Sequence, residues 1–246
     1  MALFPVILFL VTALLLPSFP VKGDQNEAFA ALSTALPEVQ EEIVNKHNEL
    51  RRAVSPSASD MLKMEWSSEA AEKAQGWADQ CSYRHSETEY RALNVSCGEN
   101  LFMSSAPYSW SSAIQLWYDE EENFIFNVGP KTSSAVIGHY TQVVWYSSFR
   151  VGCGISHCPS NPALGYFMVC HYCPAGNNVR RLYTPYKQGA PCASCPGHCE
   201  DGLCTNGCDY EDKYSNCEDL KKAVTCNHPV VKNHCQACCN CEDKIH

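Results

Sequence analysis

The sequence predicts an α+β fold, helices packed on a mostly antiparallel sheet, followed by a small cross-linked tail. Three observations lead there. Apolar residues recur at helical spacing in three early segments, and β-rich segments then succeed one another between residues 139 and 172. The seventeen cysteines are spread unevenly over 246 residues: none precedes Cys81, six lie from Cys81 to Cys173, and eleven crowd into Cys192 to Cys241. A region of roughly 160 residues can bury its own core, whereas a tail of about 55 must be stapled.

The opening stretch, MALFPVILFLVTALLLPSFPVKG, is an apolar run followed by Pro17, Pro20 and Gly23. It is too short to span a bilayer comfortably and sits at the extreme N-terminus, so it reads as a secretory signal peptide, residues 1–23. No later stretch is apolar enough to cross a membrane, and the expected destination is extracellular. An oxidising destination makes the cysteines disulfides. The formal charge of −9 becomes one unit more negative when Lys22 leaves with the signal. The balance has no basic stripe, which argues against nucleic acid or an anionic membrane surface as partner.

In PEVQEEIVNKHNELRRAV, Val39, Ile43, His47, Leu50 and Val54 share one helical face. His47 on that face reads as a hydrogen-bonded core histidine rather than a ligand. EAAEKAQGWADQC repeats the pattern through Ala70, Ala74, Trp77 and Cys81. SWSSAIQLWYDEEENF carries it through Ala113, Trp117, Glu120 and Phe124, which turns Glu120 inward and leaves Asp119 and Glu122 to solvent. Next, HYTQVVWYSS alternates like a strand, with His139, Thr141, Val143 and Trp145 on one face and Tyr140, Gln142, Val144 and Tyr146 on the other. FRVGCGIS and GYFMVCHY are β-rich, joined by the loop HCPSNPAL. The stretch CPAGNNVRRLYTPYKQGAPC lacks periodic apolar residues and reads as a connection. In the tail, Cys192, Cys195, Cys199 and Cys204 with His198 would suggest a zinc ribbon in a cytosolic chain; behind a signal peptide, disulfides are the stronger reading.

GHYTQVVWYSS (138–148), FMVCHYCPAGNN (167–178), HNELRR (47–52) and GENL (98–101) occur together with the cysteine-paced tail. In these motifs the chain resembles the cysteine-rich secretory proteins of the CAP superfamily, of the mammalian reproductive-tract and salivary type. The resemblance implies a CAP α-β-α sandwich over residues 24–186, a cysteine-rich hinge over 187–207 and a small helical module over 208–241, similar to channel-blocking ShK-type toxins. It implies the pairings Cys81–Cys158, Cys97–Cys173, Cys153–Cys170, Cys192–Cys199, Cys195–Cys204, Cys208–Cys241, Cys217–Cys235 and Cys226–Cys239. Spacing alone does not yield connectivity. Cys238 is left over, as a free thiol or an intermolecular link.

The same resemblance implies a cleft holding His85, Glu99, Glu120 and His139. Two imidazoles and two carboxylates are a donor set for a divalent cation, with weakly or conditionally bound Zn2+ the expected ion. The competing reading is a hydrogen-bonded cluster in which the carboxylates orient the imidazoles. A zinc hydrolase is a less favoured reading, although Glu99 or Glu120 would supply its base. Ser86 beside His85 is poorly placed for a nucleophile–base pair, and no G-x-S-x-G or H-E-x-x-H occurs. The expectation is therefore no catalytic residue.

The resemblance implies a binding or regulatory protein whose partner is a cell-surface protein or ion channel, including on sperm. The related toxins use a Lys–Tyr pair between their third and fourth cysteines; here NHPVVKNH supplies Lys232 without a tyrosine, and Lys213–Tyr214 sits in another loop. The alternative is a sterol or lipid carrier, through the aromatic stretch LWYDEEENFIF, though the helical period already assigns Trp117 and Phe124 to the core. Asn94 in NVS is the one N-x-[ST] sequon and a glycosylation candidate. His157, His171, His198, His228, His234 and His246 share no spacing and read as solvated or incidental.

Overall fold

Residues 166–173 are buried at every position, so the sheet they belong to must be covered on both faces. A computed structural model describes residues 22–246; the signal-peptide segment lies outside the described residues except for its last two, Lys22 and Gly23. In chain order the elements are α1 (Lys22–Ala30), α2 (Pro37–Arg52), β1 (Glu65–Trp66), α3 (Ser68–Ala78), α4 (Thr88–Arg91), β2 (Gly98–Ser104) and α5 (Trp110–Tyr118). A 3₁₀ turn, Asp119–Asn123, leads to β3 (Phe124–Ile125) and β4 (Gly129–Pro130), then α6 (Gly138–Val143), β5 (Arg150–His157) and β6 (Tyr166–Cys173). The tail holds β7 (Cys199–Glu200), β8 (Leu203–Cys204), α7 (Cys217–Val224), α8 (Pro229–His234) and α9 (Gln236–Asn240).

The main sheet runs β1-β5-β6-β2, antiparallel except for the short β1–β5 pairing. Period-two alternation in β6 builds the three layers. Phe167 and Val169 join Ala74, Trp77 and Ala78 beneath α3, while Met168, Cys170 and Tyr172 join Ile43 of α2 and Ile114 of α5 on the opposite side. Glycine permits the first contact: a Cβ at Gly152 would lie 2.2 Å from the amide nitrogen of Ala71, and one at Gly154 2.3 Å from Cα of Gln75. Only a bare backbone lets α3 come that close.

HNELRR turns out to be a set of buried polar fasteners. His47 Nδ1 lies 2.8 Å from the Ile43 carbonyl oxygen, to which only an N–H can donate, so Nε2 accepts from the Tyr172 hydroxyl (2.9 Å). Both contacts suit a neutral ring, and burial pushes its pKa from 6.5 down to about 4. Asn48 exchanges two hydrogen bonds with Met64 (2.7 and 2.9 Å). Arg51, one turn beyond His47 on the same face, is buried and donates to the carbonyls of Leu62, Val143, Trp145, Tyr146 and Ser148.

Eight disulfides join Cys81–Cys158, Cys97–Cys173, Cys153–Cys170, Cys192–Cys199, Cys195–Cys204, Cys208–Cys241, Cys217–Cys235 and Cys226–Cys239. The hinge is welded to the first domain: Cys195, Leu203 and Cys204 belong to the large core cluster, and Cys204 bonds through its backbone to Met61 and Lys63. The last module docks through side chains, with Arg150 paired to Asp209 and Glu211 accepting from the Ser96 amide and hydroxyl (3.0 and 2.9 Å).

Candidate functional site

GHYTQVVW does not form the strand its alternation predicts. Gly138–Val143 is a short helix, α6, and residues 140–149 are all buried. A segment buried on every side has no polar face, so hydropathy period cannot tell strand from helix there. What selects the helix is capping by remote residues. Glu120 Oε2 accepts from the backbone amides of His139 (2.9 Å) and Tyr140 (3.2 Å), satisfying first-turn donors. Arg51 collects the carbonyls of Val143 and Trp145 at the other end.

The same Glu120 orients the imidazole. His139 Nδ1 donates to Glu120 Oε1 at 2.6 Å, and the ring lies nearly parallel to that of Trp117 at 6.5 Å. Glu120 sits in the 3₁₀ turn that continues α5, with Trp117 buried a turn before it and Phe124 just after, while Asp119 and Glu122 are exposed. Trp117 and Phe124 are thus core residues rather than a surface for lipid.

Glu99 organises the second half of the site from β2. Its Oε1 accepts from His85 Nδ1 (2.7 Å) and the Ser86 amide (2.9 Å), and its Oε2 from the Ser86 hydroxyl (2.7 Å) and His171 Nε2 (3.0 Å). Burial opposes ionisation of this carboxyl, but hydrogen bonds from His171, His85 and Ser86 outweigh it and hold the pKa well below the carboxylate range. Ser86 spends its hydroxyl on Glu99, not on an imidazole.

His171 corrects an expectation. It is neither solvated nor incidental: it is fully buried, stands directly opposite Glu99 in the β2–β6 register, and burial lowers its pKa. Its Nδ1 is buried without a partner. Nothing in local sequence says that GEN and CHY occupy neighbouring strands, so the pairing was invisible before folding. The other five of that group are exposed or half-buried.

His85, Glu99, Glu120 and His139 therefore resolve into two His–Glu pairs. Among the described residues their donor atoms do not form a cluster within 4.8 Å. Both carboxylates are occupied instead with Nδ1 protons, backbone amides and Ser86. A carboxylate only accepts, so each Nδ1 carries a proton, and in the neutral ring each Nε2 keeps its lone pair. That is the tautomer in which a carboxylate-oriented histidine binds a divalent ion. The residues fit such an ion with the imidazoles as direct ligands and the carboxylates as positioning groups.

In the tail, Cys238 is the free cysteine among the described residues, and it is buried. Burial and then the neighbouring carboxylates of Asp212 and Glu218 push its thiol pKa far above the usual range. Lys213 and Tyr214 meet α8 through His234: the Lys213 amide donates to the His234 carbonyl (2.8 Å), and the Tyr214 ring lies 5.0 Å from the imidazole. Asn94 is exposed, and its amide reaches the Asp209 carbonyl at 3.3 Å. No helix among the described residues is long and apolar enough to cross a membrane.

The chain matches the cysteine-rich secretory protein family over residues 44–172, and the Crisp family over residues 192–246. It is 63% identical over 246 residues to human cysteine-rich secretory protein 3, covering all of both chains, and 59% identical over 246 residues to cysteine-rich secretory protein 2 of Cavia porcellus, again covering all of both. It is 52% identical over 225 residues to the cysteine-rich venom protein helothermine of Heloderma horridum horridum, covering 91% of this chain and 93% of the relative. The crystal structure of NaASP2 with Zn2+ is similar at 29% identity with a TM-score of 0.58, covering 69% of this chain and 96% of its own. Na-ASP-1 is similar at 30% identity and a TM-score of 0.58, covering 68% of this chain and 47% of its own. With one family model over more than half of the chain, a second over its tail and a relative 63% identical over the full length of both, the chain belongs to the cysteine-rich secretory protein family.

Proposed function

We propose that this is an exported, non-enzymatic binding protein that regulates a cell-surface protein, with an ion channel as the expected class and sperm as one target surface. The observation that carries the reading is the exposed face built by Lys213, Tyr214 and α8. Separate in sequence, Lys213–Tyr214 and the helix bearing Lys232 are drawn together at His234 on a module cross-linked by three disulfides. A cation beside an aromatic ring on a rigid base loses little conformational entropy on docking. This is not the single-loop Lys–Tyr pair of the toxins, and the reading does not require it to plug a pore.

The domain bearing the sheet serves as base and as a conditional cation site. His85 and His139 would hold Zn2+ through Nε2, oriented by Glu99 and Glu120. The ion would supply a bridge between segments; Ser86 is committed to Glu99, so no activated serine stands beside it. Asn94, exposed on the loop before Cys97, is proposed as a glycosylation site.

Sterol or lipid carriage has one observation in its favour, away from Trp117: an open cleft of about 840 Å³ between α1, α3 and β5, lined in part by Phe29, Trp66 and Ile155. Binding of labelled full-length protein to sperm, with current recording from the same cells, separates the readings. K213A/Y214A abolishes binding and current change if the tail face is responsible, while H85A/H139A leaves both unchanged. The reverse pattern overturns the proposal.

A further inference from the structure

Cys238 is the cysteine that the disulfide framework leaves over, and its surroundings are unusual for a spare thiol. Its sulfur lies 2.7 Å from Asp212 Oδ2 and 3.2 Å from Glu218 Oε1. One S–H cannot donate to two carboxylates at once, so the pocket holds one more acceptor than it has protons for. Asp212 is fixed there because its other oxygen accepts from the Cys238 amide (3.1 Å). Neither carboxylate forms an ion pair among the described residues, and the adjacent cation, Lys221, is engaged on the Cys238 carbonyl (2.7 Å).

A third donor type comes from the chain end. Donor atoms of Asp212, Cys238 and His246 all lie within 4.8 Å of one another. Nδ1 of His246 lies 3.2 Å from the Lys244 carbonyl and can only donate to it, which leaves Nε2 with its lone pair. The His246 carbonyl accepts from the Tyr146 hydroxyl (2.7 Å), holding the terminus against the first domain. An open cavity of about 430 Å³ reaches the cluster past Asp212 and His246. Donors around a tetrahedral zinc stand roughly 3.3 to 3.6 Å apart, so a small rotation of the exposed His246 side chain closes the set. The other close trio, Cys192, Cys195 and Cys204, is already spent in two disulfides.

We propose that Asp212, Cys238 and His246 form a divalent-cation site for an ion of the Zn2+ class, separate from the His85/His139 site, with solvent as the fourth donor. A thiolate, an imidazole and a carboxylate are ligand types that borderline-soft zinc accepts together. On binding, the Cys238 proton passes to solvent and a sulfur–metal bond takes the place of the S–H. The ion would tie residue 246, the segment at Asp212 and α9 into one unit.

The test is titration of the full-length, disulfide-intact protein with Co2+ in the absence of reductant, read as absorption. A sulfur-to-cobalt charge-transfer band is expected from one thiolate per chain, and H85A/H139A should retain it, because the first site has no sulfur. C238S, which keeps a hydrogen-bond donor for Asp212, should abolish the band, and H246A at the exposed chain end should weaken binding by about tenfold or more. Absence of the band at saturating Co2+, its persistence in C238S, or unchanged affinity in H246A would each overturn the proposal; in the first case the thiol serves only as a hydrogen-bond donor.

Discussion

The sheet domain and the terminal module are both rich in disulfides, yet the bridges perform different work in each. In the sheet domain Cys97, Cys153, Cys158, Cys170 and Cys173 lie inside layers already filled by tryptophan, tyrosine and aliphatic side chains. In the module, the larger buried cluster consists of Cys217, Val231, Cys235 and Cys238, so Val231 is its lone fully buried aliphatic side chain. The first region is a core that has been cross-linked. The second is a set of cross-links with a minimal core, as expected where too few residues are available to bury apolar area. A buried polar defect should therefore be the worst injury to the first, and loss of a bridge the worst to the second.

The largest effect expected is from Arg51→Ala, which leaves the buried carbonyls of Leu62, Val143 and Ser148 without a donor, removes one of two donors from those of Trp145 and Tyr146, and uncaps α6. A loss of about 4 kcal/mol follows. Urea denaturation of the purified domain, or failure of its secretion, measures it. Cys208→Ala with Cys241→Ala comes next: opening a loop of 33 residues costs about 4 kcal/mol by the chain-entropy account. The module should then lose its proteolytic protection while the sheet domain keeps its own; joint unfolding would sink the distinction between the two regions.

Acid probes the sheet domain through His47. His47 is held neutral, its pKa lowered from 6.5 to about 4, so the unfolded chain binds a proton that the folded chain resists. The stabilisation is complete above pH 6.5 and falls by about 1.4 kcal/mol per pH unit on acidification toward pH 4, roughly 3 kcal/mol in all. Urea midpoints measured against pH should show this slope in the wild type and less of it in His47→Asn. The smallest expected stability change is that of Glu120→Gln, about 1 kcal/mol, since one amide oxygen can still cap α6. Its amide N–H2 cannot accept from His139, however, so the ring loses its orienting partner and zinc affinity should drop about 10-fold to 100-fold by calorimetry. Equal zinc binding in wild type and Glu120→Gln would show that orientation by the carboxylate is dispensable.

Much of this architecture was legible before folding, where one side of an element faces solvent and the other does not. The faces of α2 and α3, the inward turn of Glu120, the core role of His47 and the pair of long strands all follow from period, because burial on one side leaves a readable contrast. Legibility failed where the contrast vanishes. Arg51 looks like one of two surface arginines ending a helix, yet it lies one turn beyond His47 on the buried side and serves five carbonyls. His171 sits in a strand buried on both faces, where no alternation marks it out. The Lys213–Tyr214 face required knowing that two loops meet.

The sequence by itself determined the cysteine-dense tail, the amphipathic helices and the inward turn of Glu120, since these rest on composition and on the repeat of a single element, while the other members of the His–Glu pairs were named by the resemblance of their motifs. Only the tertiary structure decided that GHYTQVVW is helical, that Glu99 serves two histidines, and that Cys238 faces Asp212 and Glu218. In each case the deciding partner lies between 14 and 94 residues away. Hydrogen-bond satisfaction inside a protein is settled by whichever donor or acceptor the fold brings within about 3 Å, and local pattern carries no record of that.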